Sequence, residues 1–420
     1  MEEVLRLNPT AVAAEKTEKT VANSSSIGQL PNHILVDILS RLPIKSVIQC
    51  RCVCKSFLSA ISQDPEFPPL HLSRSPPDLI LCPPLSDKLI LFDSDNDRAH
   101  KLNLRFDGPP GLEVVNSSRG LLCLRPPNAG PVCVFNPASL EFTLIPDTVI
   151  EREKHILMTI GFGYSSTSNK YMVLRTLLLL QQSDIINVGR RCLTDIYTLG
   201  TPRWRRIEED APMVVFRDFF PTFLNGSLHW IIDENLSSSS TYDYMISFNF
   251  DNEKFGEIAL PPPFDIGKER DSVPVLSVGV FEGQLSVCVW NLFNRVDVWV
   301  MKEYGVRESW SREIVVRTTH LYWPEGSFPV KYMSADIVLF FNADYSLITY
   351  NLLENKIVKC IKFNGLPPEN DHEAKALIHV PILMSLKELV VGAEVHLLTG
   401  RKAWKRWKGL TVSHNSPNSL

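Results

Sequence analysis

Four aromatic residues, Tyr197, Phe248, Trp299 and Tyr350, follow one another at intervals of 51 residues, each at the end of a strand-like run. A register held over three successive intervals marks a structural unit repeated at fixed length, which restricts the chain to an array of similar units. Seven residues after three of these aromatics comes another large residue, Trp204, Phe255 or Ile357, and in the Trp299 unit the matching Trp310 is displaced by a longer turn. The turn between is polar, as in Asp251-Asn252-Glu253-Lys254, so each unit ends in a hairpin. Upstream, Gly120-Leu121-Leu122-Cys123-Leu124, Gly226-Ser227-Leu228-His229-Trp230 and Gly283-Gln284-Leu285-Ser286-Val287 each read as a glycine turn leading into a strand. Extending the register backwards reaches Phe135 with Phe142, seven apart, and more weakly Phe92. A unit of about four strands repeated about every 50 residues is what a β-propeller requires, and six blades fit the count. Seven stay open, because Ala376 to Val380 and Glu388 to Leu398 could supply further closing strands. The kelch double glycine is absent from every unit, so the repeat rests on spacing and aromatics.

Composition supports the all-β reading. Thirty prolines and 20 glycines among 420 residues that are 44% hydrophobic suit many short strands joined by turns. Alternation in Leu285-Val287-Val289, Val296-Val298-Val300 and Ile337-Leu339-Phe341 gives half-buried strands. A net charge of -4 offers no general attraction to nucleic acid or an anionic membrane. Apolar runs at 177–180 and 382–391 are short or broken by Lys387 and Glu388, below the roughly 20 residues that span a bilayer, which predicts a soluble protein. Nine scattered cysteines and no secretory opening predict a reducing cytoplasmic or nuclear setting. In that setting the N-x-S matches at Asn23, Asn116, Asn225 and Asn235 carry no weight.

The N-terminal part obeys a different period. Residues 1–26, rich in Glu, Lys, Thr, Ala and Ser, are expected to form a flexible tail. Ile34, Leu35, Ile38, Leu39 and Leu42 then recur at helical spacing, with Pro31 suited to a first turn and Pro43 ending the run. Val47, Ile48, Val53, Phe57, Leu58 and Ile61 form the apolar side of a second helical stretch, broken at Asp64-Pro65. About 40 residues of short helix bury too little surface to stand alone, so a partner or the following domain must cover them.

Leu30-Pro31, Ile34-Leu35, Ile38-Leu39, Arg41-Leu42-Pro43, Lys45-Ser46-Val47, Arg51-Cys52-Val53-Cys54-Lys55 and Asp64-Pro65-Glu66-Phe67 together resemble an F-box. Two departures are mild: Gln49 stands where a basic residue is common, and Phe57 where Trp is usual. Downstream, Val134-Phe135-Asn136-Pro137, Gly161-Phe162-Gly163-Tyr164, Lys170-Tyr171-Met172-Val173, Phe223 through Trp230 and Leu260-Pro261-Pro262-Pro263 resemble the kelch-like F-box-associated domain of plant proteins, in its usual order. The resemblance implies a small all-α F-box of three short helices over 27–72, a propeller-like domain over 79–400, and a basic then polar tail over 401–420. It further implies the substrate-recognition subunit of a cullin-type ubiquitin ligase: the F-box binds a Skp-family adaptor and through it a cullin and a RING protein, and the β domain holds a protein target. Such a subunit needs no cofactor and no reactive group; it supplies effective concentration. By this carry-over Leu30, Pro31, Ile34, Leu35, Leu42 and Pro43 are the candidate adaptor contacts, with packing of the helical core as the competing role for Leu35 and Leu42.

Other motifs point to structure. Cys50, Cys52 and Cys54 do not converge from one helix, and no partner completes a tetrahedral metal set. Gly161-Phe162-Gly163 lacks a third glycine and a following helix, so it reads as a strand turn and not a phosphate loop. No nucleophile elbow, H-E-x-x-H or Walker pattern occurs, and His229 reads as a strand position. The basic run Arg401-Lys402-Ala403-Trp404-Lys405-Arg406-Trp407-Lys408 reads as a tail whose tryptophans dock back on the β domain, with nuclear import and nucleic-acid or lipid contact as alternatives. Target contacts are sought in the longest irregular segments, 177–194, 233–242, 264–274 and 318–330, at Arg190, Arg191, Tyr322 and Trp323. Two other functions are kept: an adaptor-bound scaffold without ubiquitin output, and a propeller enzyme or lectin.

Overall fold

The computed structural model describes residues 27, 30–75, 77–83, 86, 88–93, 97–104, 112–126, 130–146, 155–179, 192–208, 211–212, 221–231, 244–262, 275–291, 295–317, 328–342, 344–364, 366, 375–398, 404–406 and 410–414. The expected tail over 1–26 lies outside them. Short helices are followed by six antiparallel sheets arranged as the blades of a six-bladed β-propeller. Among the described residues no helix is long and apolar enough to cross a membrane.

All six register aromatics fall on the same strand of their blades, the third from the axis. Phe135, Tyr197, Phe248, Trp299 and Tyr350 lie on the strands Cys133–Asn136, Cys192–Thr198, Tyr244–Asn249, Arg295–Met301 and Ser346–Asn351. Phe92 completes the set, although its strand Lys88–Asp93 is only the second of the first blade in chain order. The apparent mismatch has a topological cause: the C-terminal strand Lys375–His379 pairs with Asp78–Cys82 and becomes the innermost strand of the first blade. The ring is therefore closed by hydrogen bonds between the two ends of the domain, and residues 376–380 serve this closure and not a seventh blade.

The marker aromatics work in pairs across the hairpin that ends each unit. Phe135 is opposite Phe142, Phe248 opposite Phe255 and Tyr350 opposite Ile357. The rings of Phe248 and Phe255 meet edge to face at 4.9 Å. In three units an asparagine follows the aromatic and builds the turn. The Oδ1 atoms of Asn136, Asn249 and Asn351 accept from the amides two and three residues on, at 2.9 and 3.4, 3.0 and 3.1, and 3.0 and 2.9 Å. The tryptophans Trp204 and Trp310, on the far side of their hairpins, tie blades together: Trp204 Nε1 donates to the Pro146 carbonyl at 2.9 Å and Trp310 Nε1 to the Ala259 carbonyl at 2.9 Å.

Gly161 and Gly163 lie within the innermost strand of the third blade, His155–Ser165, rather than in a turn. A Cβ on Gly161 would come within 2.3 Å of Leu228 Cδ1, and one on Gly163 within 2.0 Å of Phe250 Cε2. The two glycines thus set how closely the fourth blade approaches the third.

The C-terminal residues also depart from the expected tail. Trp404–Arg406 pairs with Arg98–Asn103 on the outside of the first blade, and Leu410–His414 with Lys356–Phe363 on the outside of the sixth. His396–Leu397 does the same for the second blade. Outer strands present unpaired N–H and C=O groups, and these short polar segments cover three such edges. Side-chain pattern could not reveal them, because a strand added to an outer edge is held by its backbone.

Buried histidines seal two blade seams. His229 Nδ1 is 3.0 Å from the Thr222 carbonyl and Nε2 2.8 Å from the Tyr304 hydroxyl of the fifth blade; His379 Nδ1 is 3.0 Å from Ser117 Oγ across the closure. Burial pushes His229 down to about 4, against the Thr222 carbonyl, and His379 down to about 3. Unfolded imidazoles titrate near 6.5, so below that pH the unfolded chain takes up protons that the fold refuses. Stability is therefore full above about pH 6.5 and falls toward pH 4, by roughly 1.4 kcal/mol per pH unit for each refused proton. Denaturant unfolding across this range should show that slope, and His229→Gln should flatten it. Gly163→Ala should cost about 1–3 kcal/mol by overpacking, measured in the same way.

Candidate functional site

The N-terminal unit contains four short helices, one more than expected: α1 (Asn32–Leu39), α2 (Ile44–Cys50), α3 (Lys55–Ser62) and α4 (Phe67–Arg74). In sequence the helical pattern reads as ending at Asp64-Pro65, yet a further helix follows, with Pro68 and Pro69 in its first turn, where a missing N–H costs nothing. Pro31 and Pro43 stand immediately before α1 and α2 at φ -53° and -55°. Each ends an incoming segment and presets the next helix.

The core of this unit is complete. Leu35, Val36, Leu39, Val47, Phe57, Ala60, Ile61 and Phe67 are buried together, with Leu42, Cys50, Cys54 and Leu70 packed against them. Phe57, in the position where Trp is usual, is 7% exposed and fills the centre. Cys50 and Cys54 serve as small apolar groups of this core, Cys52 is exposed, and among the described residues no three His, Cys, Asp or Glu side chains come together. Polar contacts clamp α4 to α1: Arg74 Nη1 reaches Asp37 Oδ1 at 2.8 Å and Ser40 Oγ at 2.6 Å. Hydrogen bonds first from Arg41 and then from Arg74 hold the Asp37 carboxyl below the usual carboxylate range. His71 Nε2 donates to the Leu42 carbonyl at 3.0 Å, leaving Nδ1 to accept from Ser75 Oγ at 3.0 Å.

This complete core separates the six candidate adaptor contacts. Leu30 and Ile34 are exposed at 38% and 39%, Pro31 and Pro43 are exposed, and Leu42 is half-buried. Leu35 is 2% exposed and packed inside the unit, so its side chain is not available to a partner. The helical stripe could not distinguish them, because positions facing an internal core and those facing a second protein are both apolar. Four exposed apolar side chains that sequence did not select, Ile27, Ile48, Val53 and Leu58, add to the surface of the same unit. The only available signal was that they exceed what so small a core can enclose.

The helical unit sits against the second blade. A cavity of about 460 Å³ between them is lined on one side by Ile48, Arg51 and Ile61, and on the other by Ser139, Glu141 and Met384. Ala138 and Ser139 belong to the turn between the third and fourth strands of that blade, so the helices occupy the face where the short hairpin turns lie. Arg190, Arg191, Tyr322 and Trp323 lie outside the described residues. The strands flanking them end at Leu179, Cys192, Arg317 and Phe328, at the opposite ends of the blades.

Two family models account for these parts. The F-box domain matches residues 27–68, and the F-box associated beta propeller domain matches residues 100–386. The chain belongs to the F-box-associated β-propeller family. It is similar to the F-box protein At3g07870 of Arabidopsis thaliana, 28% identical over 330 residues that cover 73% of this chain and 76% of the relative. It is also similar to the Arabidopsis F-box protein CPR1, 26% identical and covering 69% and 73%, and to the Arabidopsis F-box/kelch-repeat protein At3g23880, 27% identical and covering 70% and 81%. The fourth helix of this F-box, ending at Arg74, extends past the matched residues and leads directly to the first blade.

The division between core and surface is measurable. Leu35→Ala should lower F-box stability by about 2–5 kcal/mol, whereas Leu30→Ala should change it by less than about 0.5 kcal/mol, as read by denaturant melts.

Proposed function

We propose that this protein is the substrate receptor of a Skp, cullin and F-box ubiquitin ligase, acting in the cytoplasm or nucleus. The F-box binds a Skp-family adaptor, which links it to a cullin and a RING protein, and the propeller holds a protein target for ubiquitination. The observation that carries this reading is a helical unit whose own core is filled yet which still exposes Leu30, Ile34, Val53 and Leu58. Exposed apolar groups of this size on so small a unit favour burial against a second protein.

The chemistry is delegated. The receptor supplies proximity, raising the concentration of a target lysine near a ubiquitin thioester carried by another subunit, so neither domain needs a nucleophile or a metal. Leu30, Pro31, Ile34 and Pro43 form the adaptor contact, with Leu42 at its edge. Arg190, Arg191, Tyr322 and Trp323 are assigned to target contact, because their flanking strands end on the face away from the F-box. A target bound there leaves the adaptor surface free.

Capture experiments with a Skp-family adaptor and cullin test the reading. The full chain should retain both, and the Leu30→Ala, Pro31→Ala double variant should bind at least about tenfold more weakly, roughly 1.4 kcal/mol, with its melting profile unchanged. Failure of the folded full chain to capture either protein would sink the assignment.

A further inference from the structure

Residues 381–390 follow the closing strand and belong to both domains at once. Ile382, Leu386 and Val390 are buried in the apolar cluster of the second and third blades, while Leu383 packs against the F-box core. Neighbouring residues in one extended stretch thus point into two different cores. On the propeller side the segment is fastened at several points. Asn136 Nδ2 donates to the carbonyls of Ile382 and Met384 at 3.3 and 2.8 Å, while its Oδ1 builds the hairpin turn. The Glu141 carboxylate accepts from Ser385 Oγ at 2.9 Å and from the Leu386 amide at 2.6 Å, which caps the short helix Leu386–Leu389. Gly120, at φ +85°, lets Ile382 lie against the backbone: a Cβ there would be 2.4 Å from Ile382 Cγ2.

On the other side, two further links to the propeller are seen among the described residues. Leu72 of α4 packs against the same propeller cluster, and the chain runs from α4 into the first blade. Beside these the 460 Å³ cavity separates Ile48, Arg51 and Ile61 from Ser139 and Glu141. A chain connection at one point leaves rotation free. A second, non-covalent peg at another point removes it.

We propose that residues 381–390 lock the F-box to the propeller in one orientation, with Leu383 as the peg and Asn136 and Glu141 as the positioning residues that hold it. The structural claim stands alone; its consequence rests on the receptor function, because a receptor that acts by proximity delivers a target lysine to a fixed place only if its two domains move as one body. Leu383 is in this sense a positioning residue for ubiquitin transfer.

The test is a single-molecule distance measurement on the full chain, with dyes carried by reactive non-natural residues at Val53 and Leu353, which are 66% and 77% exposed. The wild-type chain should give one narrow distance population. Leu383→Ala should broaden it and add a second population while the melting of the propeller is unchanged. Asn136→Asp keeps the Oδ1 acceptor of the turn but removes the two donors to the segment, and it should broaden the distribution in the same way. A broad distribution in the wild type, or a narrow one in whichever variants remain folded, would overturn the lock. Adaptor capture is scored separately on the same chains without the substitutions and dyes at Val53 and Leu353: an unlabelled wild-type chain that captures no adaptor, while its labelled counterpart shows a single narrow distance, ends the receptor assignment and leaves the lock standing.

Discussion

Ring closure is the constraint on which the rest of this molecule depends. Six sheets packed side by side leave two exposed flanks unless the last joins the first, and here Lys375–His379 supplies the inner strand of the blade that begins with Asp78–Cys82. Five pairs of residues in register from Asp78 with His379 to Cys82 with Lys375 join the beginning and end of the domain. The contact order of this pairing is the greatest in the fold's inner ring, so its loop entropy is met only when the intervening blades are already packed. The neutral His379 against Ser117 places a polar contact at this seam, where a charged imidazole would be costly.

Closure also decides where the F-box goes. Because the closing strand lies at the axis beside the second blade, the chain that leaves it at His379 crosses that blade on its hairpin face. There it meets α4, which entered the propeller from the other end of the sequence. The two termini of the domain are thereby brought together, and the F-box is seated on the junction between them. The remaining C-terminal strands then run outward over the edges of the second, first and sixth blades, the three nearest the closure. Edge coverage is accordingly asymmetric around the ring: the outer strands Arg205–Arg206, Lys254–Ala259 and Trp310–Arg317 have no added strand among the described residues.

Electrostatics plays a local part. Asp195 is 5% exposed and accepts from Arg175 at 3.0 Å and Arg206 at 2.8 Å, while Asp297, two repeats further on, accepts from Arg295 at 2.8 Å. A buried carboxylate at the same repeat position, each satisfied by guanidinium groups, is a way of filling a blade face without leaving a charge unpaired, and it adds order more than net stability. Arg175 also lies 4.2 Å from the Trp204 ring, so one side chain joins the ion pair to the hairpin aromatic.

The sequence by itself determined the repeat, and through it a propeller of six or seven blades, since an aromatic needed at one strand position in every blade must recur at the length of the blade; the closing strand Lys375–His379 decided for six. It also carried the motif residues that resemble an F-box, and it determined the apolar helical stripe that contains Ile34 and Leu35, because helix boundaries and period are local. What it left undecided has one physical cause: these are questions of which surface a residue meets. Leu35 and Ile34 are adjacent and equally apolar, and only packing sends one inward and the other to the surface. Phe92 looked like the weakest marker because its blade is completed by pairing Asp78 with His379 through Cys82 with Lys375, far apart in sequence, a pairing that no local pattern records. The outer strands at 404–406 and 410–414 are held by backbone groups that every residue shares, and Leu383 was one apolar residue in a short run until the tertiary structure placed it in the core of the other domain.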